Sequence, residues 1–309
     1  MHLHFSRGTD RSIPARKGGL EGLESKGAAA TPACAPAPNQ KAPDGATIVA
    51  GIDAGSTAVK LVLDDGNRRS VWQRPSGWSP GETARELLQE ALAAWGRKRE
   101  DVAHICGTGY GRVNLPFLDS AVTEIACHAR GAVHLRPGAQ LVIDIGGQDA
   151  KGILVGATGR VLDFVMNDKC AAGTGRFLAV MAHALGMEVA EMGALVPGEG
   201  LPMAGIHPHP INAMCTVFAE SEVIGLLNQG VDRRAIIAGL HQSVARRVAA
   251  MVARLGASGP VLFTGGVARN AGVGAALEKE LGCPVEVNEQ SPFAGAIGAV
   301  LIAREKAAG

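Results

Sequence analysis

Ile48-Val49-Ala50-Gly51-Ile52-Asp53-Ala54-Gly55-Ser56-Thr57-Ala58-Val59-Lys60-Leu61-Val62-Leu63 is an apolar run that ends in an acid, crosses a glycine turn and resumes as a second apolar run. Strand, turn and strand make a hairpin, and a turn of this composition presents backbone N–H groups and hydroxyls to phosphate. The pattern recurs at Leu141-Val142-Ile143-Asp144-Ile145-Gly146-Gly147-Gln148-Asp149-Ala150-Lys151, followed by Gly152-Ile153-Leu154-Val155. Asp53 to Lys60 and Asp144 to Lys151 have the same spacing, and Gly55 matches Gly146. An apolar run ending in Asp-x-Gly is common at strand ends, but two in register are an internal duplication. Each copy supplies an acid and a tight turn, which is what a cleft between two similar lobes needs to grip Mg-ATP from both sides.

Near the end, Val261-Leu262-Phe263-Thr264 reads as a buried strand running into Gly265-Gly266 and then, past Arg269 and Asn270, a helix. Glycines there let the backbone approach a base or a ribose. Amphipathic spacing predicts helices over 82–95, 123–135 and 233–255. Alternating strands and helices imply a layered α/β architecture. The ordered triplet of two hairpins and a glycine pair resembles the actin, Hsp70 and sugar-kinase superfamily, a two-lobed, ribonuclease H-like duplicated ATPase fold. We place lobe one at 47–140 and lobe two at 141–309, with a last helix over 293–306 packing back on lobe one as that resemblance implies.

Composition narrows the function. Lys+Arg 30 against Asp+Glu 29 leaves a formal charge of +1, so no summed field draws nucleic acid or an anionic membrane. Apolar stretches stay well under the roughly 20 residues of a membrane helix. Residues 1–46 have no hydrophobic period and include Ala33-Cys34-Ala35-Pro36-Ala37-Pro38, and they read as a disordered tail. No apolar core of a signal peptide follows Met1, and a cytoplasmic protein is expected.

Six cysteines stand at 34, 106, 127, 170, 215 and 283 with no CxxC pair, which is not a disulfide framework. Cys170, in Met166-Asn167-Asp168-Lys169-Cys170-Ala171-Ala172-Gly173-Thr174-Gly175-Arg176-Phe177, precedes a predicted helix. So does Cys215, in Asn212-Ala213-Met214-Cys215-Thr216-Val217-Phe218-Ala219-Glu220-Ser221-Glu222. The positive end of a helix favours a thiolate or an anionic cluster. Cys127 instead falls on an apolar stripe, as an inert core cysteine does.

These two segments, with Gly107-Thr108-Gly109-Tyr110-Gly111-Arg112 and Glu124-Ile125-Ala126-Cys127-His128-Ala129, resemble the activator of 2-hydroxyacyl-CoA dehydratases and the related ATPase subunits of benzoyl-CoA reductase. The resemblance runs from about Ile48 to Ala307. It implies a homodimer, or a pair of like subunits, sharing one 4Fe–4S cluster held by two cysteines from each, at the positions of Cys170 and Cys215. It also implies a ferredoxin or flavodoxin donor and an iron–sulfur dehydratase or reductase as the acceptor. The sequence departs from that family at Pro292-Phe293-Ala294-Gly295, where an Asn-Gly is usual before the last helix.

The expected site follows. Asp53 and Asp144 hold Mg²⁺ through water, Ser56, Thr57, Gly146 and Gly147 donate to phosphate oxygens, and Gly55, Gly265, Gly266 and Asn270 complete the nucleotide site. Lys60 and Lys151 point either at phosphate or at the sheet edge. Gln148 orients the attacking water, with Asp149 and Glu220 as competing candidates. A small-molecule kinase of the same fold and a metal-free nucleotide-binding regulator remain as rival readings.

Overall fold

The structure, a computed structural model, describes residues 47–168, 170–195, 206–212, 215–257 and 259–309. The tail at 1–46, with Cys34, lies outside the described residues. In lobe one the strands are β1 (Ile48–Ala54), β2 (Ala58–Asp64), β3 (Arg69–Pro75), β4 (Val102–Thr108) and β5 (Ser120–Ala121). Helix α1 (Pro80–Ala94) follows β3, and α2 (Glu124–Leu135) follows β5. The second lobe has β6 (Leu141–Ile145), β7 (Ala150–Val155), β8 (Val161–Asn167), α3 (Gly175–Ala184), α4 (Val189–Ala194), α5 (Thr216–Asn228) and α6 (Arg233–Val252). The chain then runs through β9 (Val261–Thr264), α7 (Ala271–Leu281), β10 (Val285–Val287) and α8 (Ala294–Ala308).

The duplication extends through both sheets. One has the order β3-β2-β1-β4-β5 and the other β8-β7-β6-β9-β10. In each, the first two strands pair antiparallel, and the first and fourth pair parallel. Asp53 sits opposite Lys60 and Thr108, and Asp144 opposite Lys151 and Thr264. Each of those threonines precedes a glycine at positive φ, Gly109 at 88° and Gly265 at 86°, where an L side chain is strained. The turn at Gly265 thus has a counterpart in lobe one at Thr108-Gly109. The third strand of each hairpin, β3 and β8, adds to the reading from the sequence; the charged residues Arg69 and Arg74 break up the apolar pattern of β3.

The helices follow from local chemistry. Ser79 caps α1 by accepting from Glu82 N, with Pro80 at the first turn, and α1 buries Ala84, Leu87, Leu88, Ala91 and Leu92 on one face of the first sheet. The opposite face is covered by the chain's last helix: Ala296, Ile297, Val300 and Ala303 of α8 pack with Val49, Val62 and Cys106. Helix α2, made just after lobe one's strands, packs Ala129 and Ala132 on Val142, Ile153 and Leu262 of the second sheet. The two helices cross backbone to backbone. A side chain on Gly298 would overlap the Cys127 carbonyl, and one on Gly131 the Ala294 carbonyl. Among the described residues no helix is long and apolar enough to cross a membrane.

Candidate functional site

The two glycine turns meet. Any Cβ on Gly147 would overlap Thr57 Oγ1, so the first turn rests directly on the backbone of the second. Each turn is braced from behind. Ser76 donates through Oγ to Gly55 O at 2.6 Å and through its N–H to Thr57 O at 3.0 Å. The second turn is held by the start of α3, where Gly175 N donates to Gly146 O at 2.9 Å and Arg176 N to Gly147 O at 2.8 Å. Gln148 is exposed at the tip of this turn.

Behind the turns lies a largely buried ionic cluster. Asp144 accepts from Thr264 Oγ1 at 2.8 Å, and its carboxylate lies 3.1 Å from His128 Nδ1 and 3.4 Å from Lys151 Nζ. The His128 contact has ion-pair distance without hydrogen-bond alignment. Lys151 Nζ also reaches Asp149 Oδ2 at 2.6 Å and Glu124 Oε2 at 3.2 Å. Burial alone would neutralise these groups, but the opposite charges prevail: His128 and Lys151 hold the Asp144 carboxyl far below the usual range. For Lys151 and His128, burial likewise opposes the charged form, and the neighbouring carboxylates override it and raise both pKa values. Asp53 is buried too, with Lys60 Nζ at 3.7 Å. Lys151 therefore lies inside the acid cluster rather than at a sheet edge.

The third strand's turn gives Gly265 and Gly266, and then Asn270, whose Oδ1 caps α7 by accepting from Val273 N at 3.0 Å. Asn270 Nδ2 is buried and has no partner among the described residues, which leaves a donor for a bound group. Glu220 is half-buried on α5 and forms no ion pair with the Asp144 cluster. Sequence reasoning gave no role to Glu124 and His128, which are four residues apart and so share a face of α2. That i, i+4 spacing of an acid and a histidine was the available signal.

Cys215 is exposed and forms the N-cap of α5, while Cys170 is half-buried, five residues ahead of α3. Helices α3 and α5 pack together. Both thiols are free, and among the described residues no three ligating side chains stand together as a metal site. Two accessible thiols per chain fit a four-thiolate cluster only if a second chain supplies the other two.

Two similar lobes, each offering an acid and a phosphate-sized turn to one cleft, define a duplicated ATPase fold of the actin and sugar-kinase kind. Within it, the chain belongs to the BadF/BadG/BcrA/BcrD ATPase family, whose model matches residues 50–303. It is 45% identical over 264 residues to the (R)-2-hydroxyglutaryl-CoA dehydratase activating ATPase of Acidaminococcus fermentans, covering 84% of this chain and 97% of that protein. A benzoyl-CoA reductase subunit from Thauera aromatica is 35% identical over 268 residues, 82% of this chain and 92% of that one. Among solved structures, the activator of the 2-hydroxyisocaproyl-CoA dehydratase from Clostridium difficile with bound ADPNP superposes with a TM-score of 0.77 at 39% identity, over 85% of this chain and 96% of that one.

Proposed function

We propose that the protein is an ATP-hydrolysing iron–sulfur activator that passes single low-potential electrons to a 2-hydroxyacyl-CoA dehydratase or a benzoyl-CoA reductase. One observation carries the coupling. The second phosphate turn and the helix that follows Cys170 are joined by two backbone hydrogen bonds, from Gly175 N to Gly146 O and from Arg176 N to Gly147 O. Any shift of that turn on ATP binding or hydrolysis is transmitted to the start of α3.

In this reading Asp53 and Asp144 hold Mg²⁺ through water, and Ser56, Thr57, Gly146 and Gly147 donate to the phosphates. Lys60 neutralises phosphate charge, Gly265, Gly266 and Asn270 border the nucleoside, and Gln148 orients the attacking water. The two lobes close on the nucleotide, each sheet moving with the helix packed on it, so that the division at 140/141 is crossed by α8 on the first sheet and α2 on the second. Cys170 and Cys215 from two copies together hold one 4Fe–4S cluster per dimer. When bound, that cluster supplies one-electron chemistry at low potential. The donor is a reduced ferredoxin or flavodoxin, the acceptor an iron–sulfur dehydratase or reductase component, and the setting the cytoplasm.

Iron analysis and sizing under anaerobic conditions test this. A brown dimer with about four irons per dimer is expected, since one Cys₄ cubane carries four. Cys170→Ser or Cys215→Ser removes two of the four ligands at once, because the symmetry axis repeats each loss, and the iron is lost. A colourless monomer after careful reconstitution overturns the electron-activator reading, and a stable phosphorylated acceptor in a survey of alcohols and carboxylates revives the kinase.

A further inference from the structure

Arg269 ends the turn that begins at Gly265, and its side chain leaves lobe two altogether. It is exposed, and its Nη2 donates to Gln73 Oε1 on β3 of lobe one at 3.2 Å. Its guanidinium carbon also stands 6.0 Å from the centre of the Phe293 ring, at the outer reach of a cation–π contact. Phe293 is buried with Val49, Val62 and Val71 of the first sheet. Both of these contacts are therefore with the body of lobe one.

Strand register shows what the anchor is joined to. Gln73 pairs with Lys60 across β2 and β3, and Lys60 with Asp53 across β1 and β2. Residues opposite one another on neighbouring antiparallel strands share a face, so Gln73, Lys60 and Asp53 form one row. Lys60 Nζ stands 3.7 Å from the Asp53 carboxylate within it. The row runs from the outer strand of the sheet to the acid beside the first phosphate turn. Arg269, between Gly265-Gly266 and Asn270, joins that row to the nucleoside side of the cleft.

We propose that Arg269 is a positioning residue that clasps the lobes over a bound nucleotide and sets how long the nucleotide stays. The inference rests on the reading of Gly265, Gly266 and Asn270 as the border of the nucleoside. Opening the cleft parts that turn from β3, which breaks the Gln73 bond and strips the guanidinium from Phe293. Arginine suits the task because its planar head lies along a ring while an N–H reaches past it, which the point charge of a lysine does not do. Gln73 is uncharged, so the bond is of moderate strength and releases; a carboxylate in its place would hold more tightly.

The test is the rate at which the full chain, with Mg²⁺ present, releases a fluorescent ADP analogue into excess unlabelled ADP. Arg269→Ala and Gln73→Ala are each expected to release it about threefold to tenfold faster, with a smaller change in the association rate. The double variant should release it no faster than Arg269→Ala, because the two side chains share one contact. Gln73→Glu keeps the size of the side chain and should slow release, an effect that should vanish when Arg269 is alanine. A merely structural role for Arg269 predicts no slowing. Should Arg269→Ala fail to fold, the two Gln73 variants decide alone. Parental release in both Gln73 variants, or slowing by Gln73→Glu that persists without Arg269, overturns the clasp. Gly266→Ala separates the two claims, since no atom lies within 4 Å of where its Cβ would stand and alanine fits the free protein. If it binds ADP with parental affinity, the nucleoside reading falls and the clasp with it. If it binds ADP more weakly while the Arg269 and Gln73 variants release at the parental rate, only the clasp is refuted.

Discussion

Thr57 and Gly147 touch across the cleft: the hydroxyl of the first turn occupies the space that any side chain at 147 would need. Two turns in such contact have only one way to admit a bulkier residue, which is to separate. Gly147→Ala should therefore hold the lobes apart and lower kcat for ATP by about tenfold or more, in line with displacing donors from a transferring phosphate by about an ångström. Scattering curves of the nucleotide-bound variant should show a more open particle than the parent. An unchanged kcat would mean the contact does not limit closure.

Asp53 and Asp144 should part company in stability although both are expected to abolish hydrolysis when replaced by alanine. Asp144→Ala leaves the buried His128 without its carboxylate partner, although Lys151 keeps Asp149 and Glu124, and breaking a buried pair in this way costs about 3–5 kcal/mol. Asp53 faces a lysine 3.7 Å away that keeps some access to water, so its loss should cost clearly less. Urea unfolding of the two variants reads the difference, and equal midpoints would contradict the view of Asp144 as the charge around which the cluster is built.

His241 gives the fold a weak point on the acid side. It is 3% exposed on α6, its Nε2 has no partner among the described residues, and burial pushes its pKa down to about 4. The unfolded chain takes up that proton near pH 6.5, so the stabilising contribution is complete above that pH and is lost as pH falls toward 4. The slope approaches about 1.4 kcal/mol per pH unit in that window. Urea midpoints at pH 7 and pH 5 should differ more for the parent than for His241→Gln, and identical differences would remove His241 from the account.

The crossing of α2 and α8 should tolerate no side chain. Gly298→Val puts its branched Cβ onto the Cys127 carbonyl, which can be relieved only by separating the helices, and overpacking of this kind costs about 1–3 kcal/mol or more. A lowered thermal midpoint is expected; a parental one would show that α8 can slide.

How far the sequence reached is clear from particular residues. Asp53, Lys60, Asp144 and Lys151 were legible because a hairpin writes its register into the spacing, and the pairs do stand opposite one another. The glycine pair at 265–266 was legible through the apolar strand before it, whereas its counterpart at Thr108-Gly109 was not, because β4 carries His104 and Gly107 and shows no clean apolar run. His128 and Glu124 stand in a segment that carries the family resemblance but receive no role from it, for a different reason. Along the chain they are polar positions on an amphipathic helix, and only tertiary packing turns that face toward Asp144 and Lys151 rather than toward water.

The exchange of helices between the sheets also dictates an order of birth. Once β1 to β5 have left the ribosome, the sheet face carrying Val49, Val62 and Cys106 stays bare, because the helix that will cover it has not been translated. The second lobe, by contrast, receives α2 before its own first strand is made. The half synthesised last can therefore complete its core first, while the half synthesised first waits for Ala296, Ile297 and Val300 to arrive and shield it. A nascent chain stalled just short of α8 would present that uncovered apolar face to chaperones, and to other copies of itself.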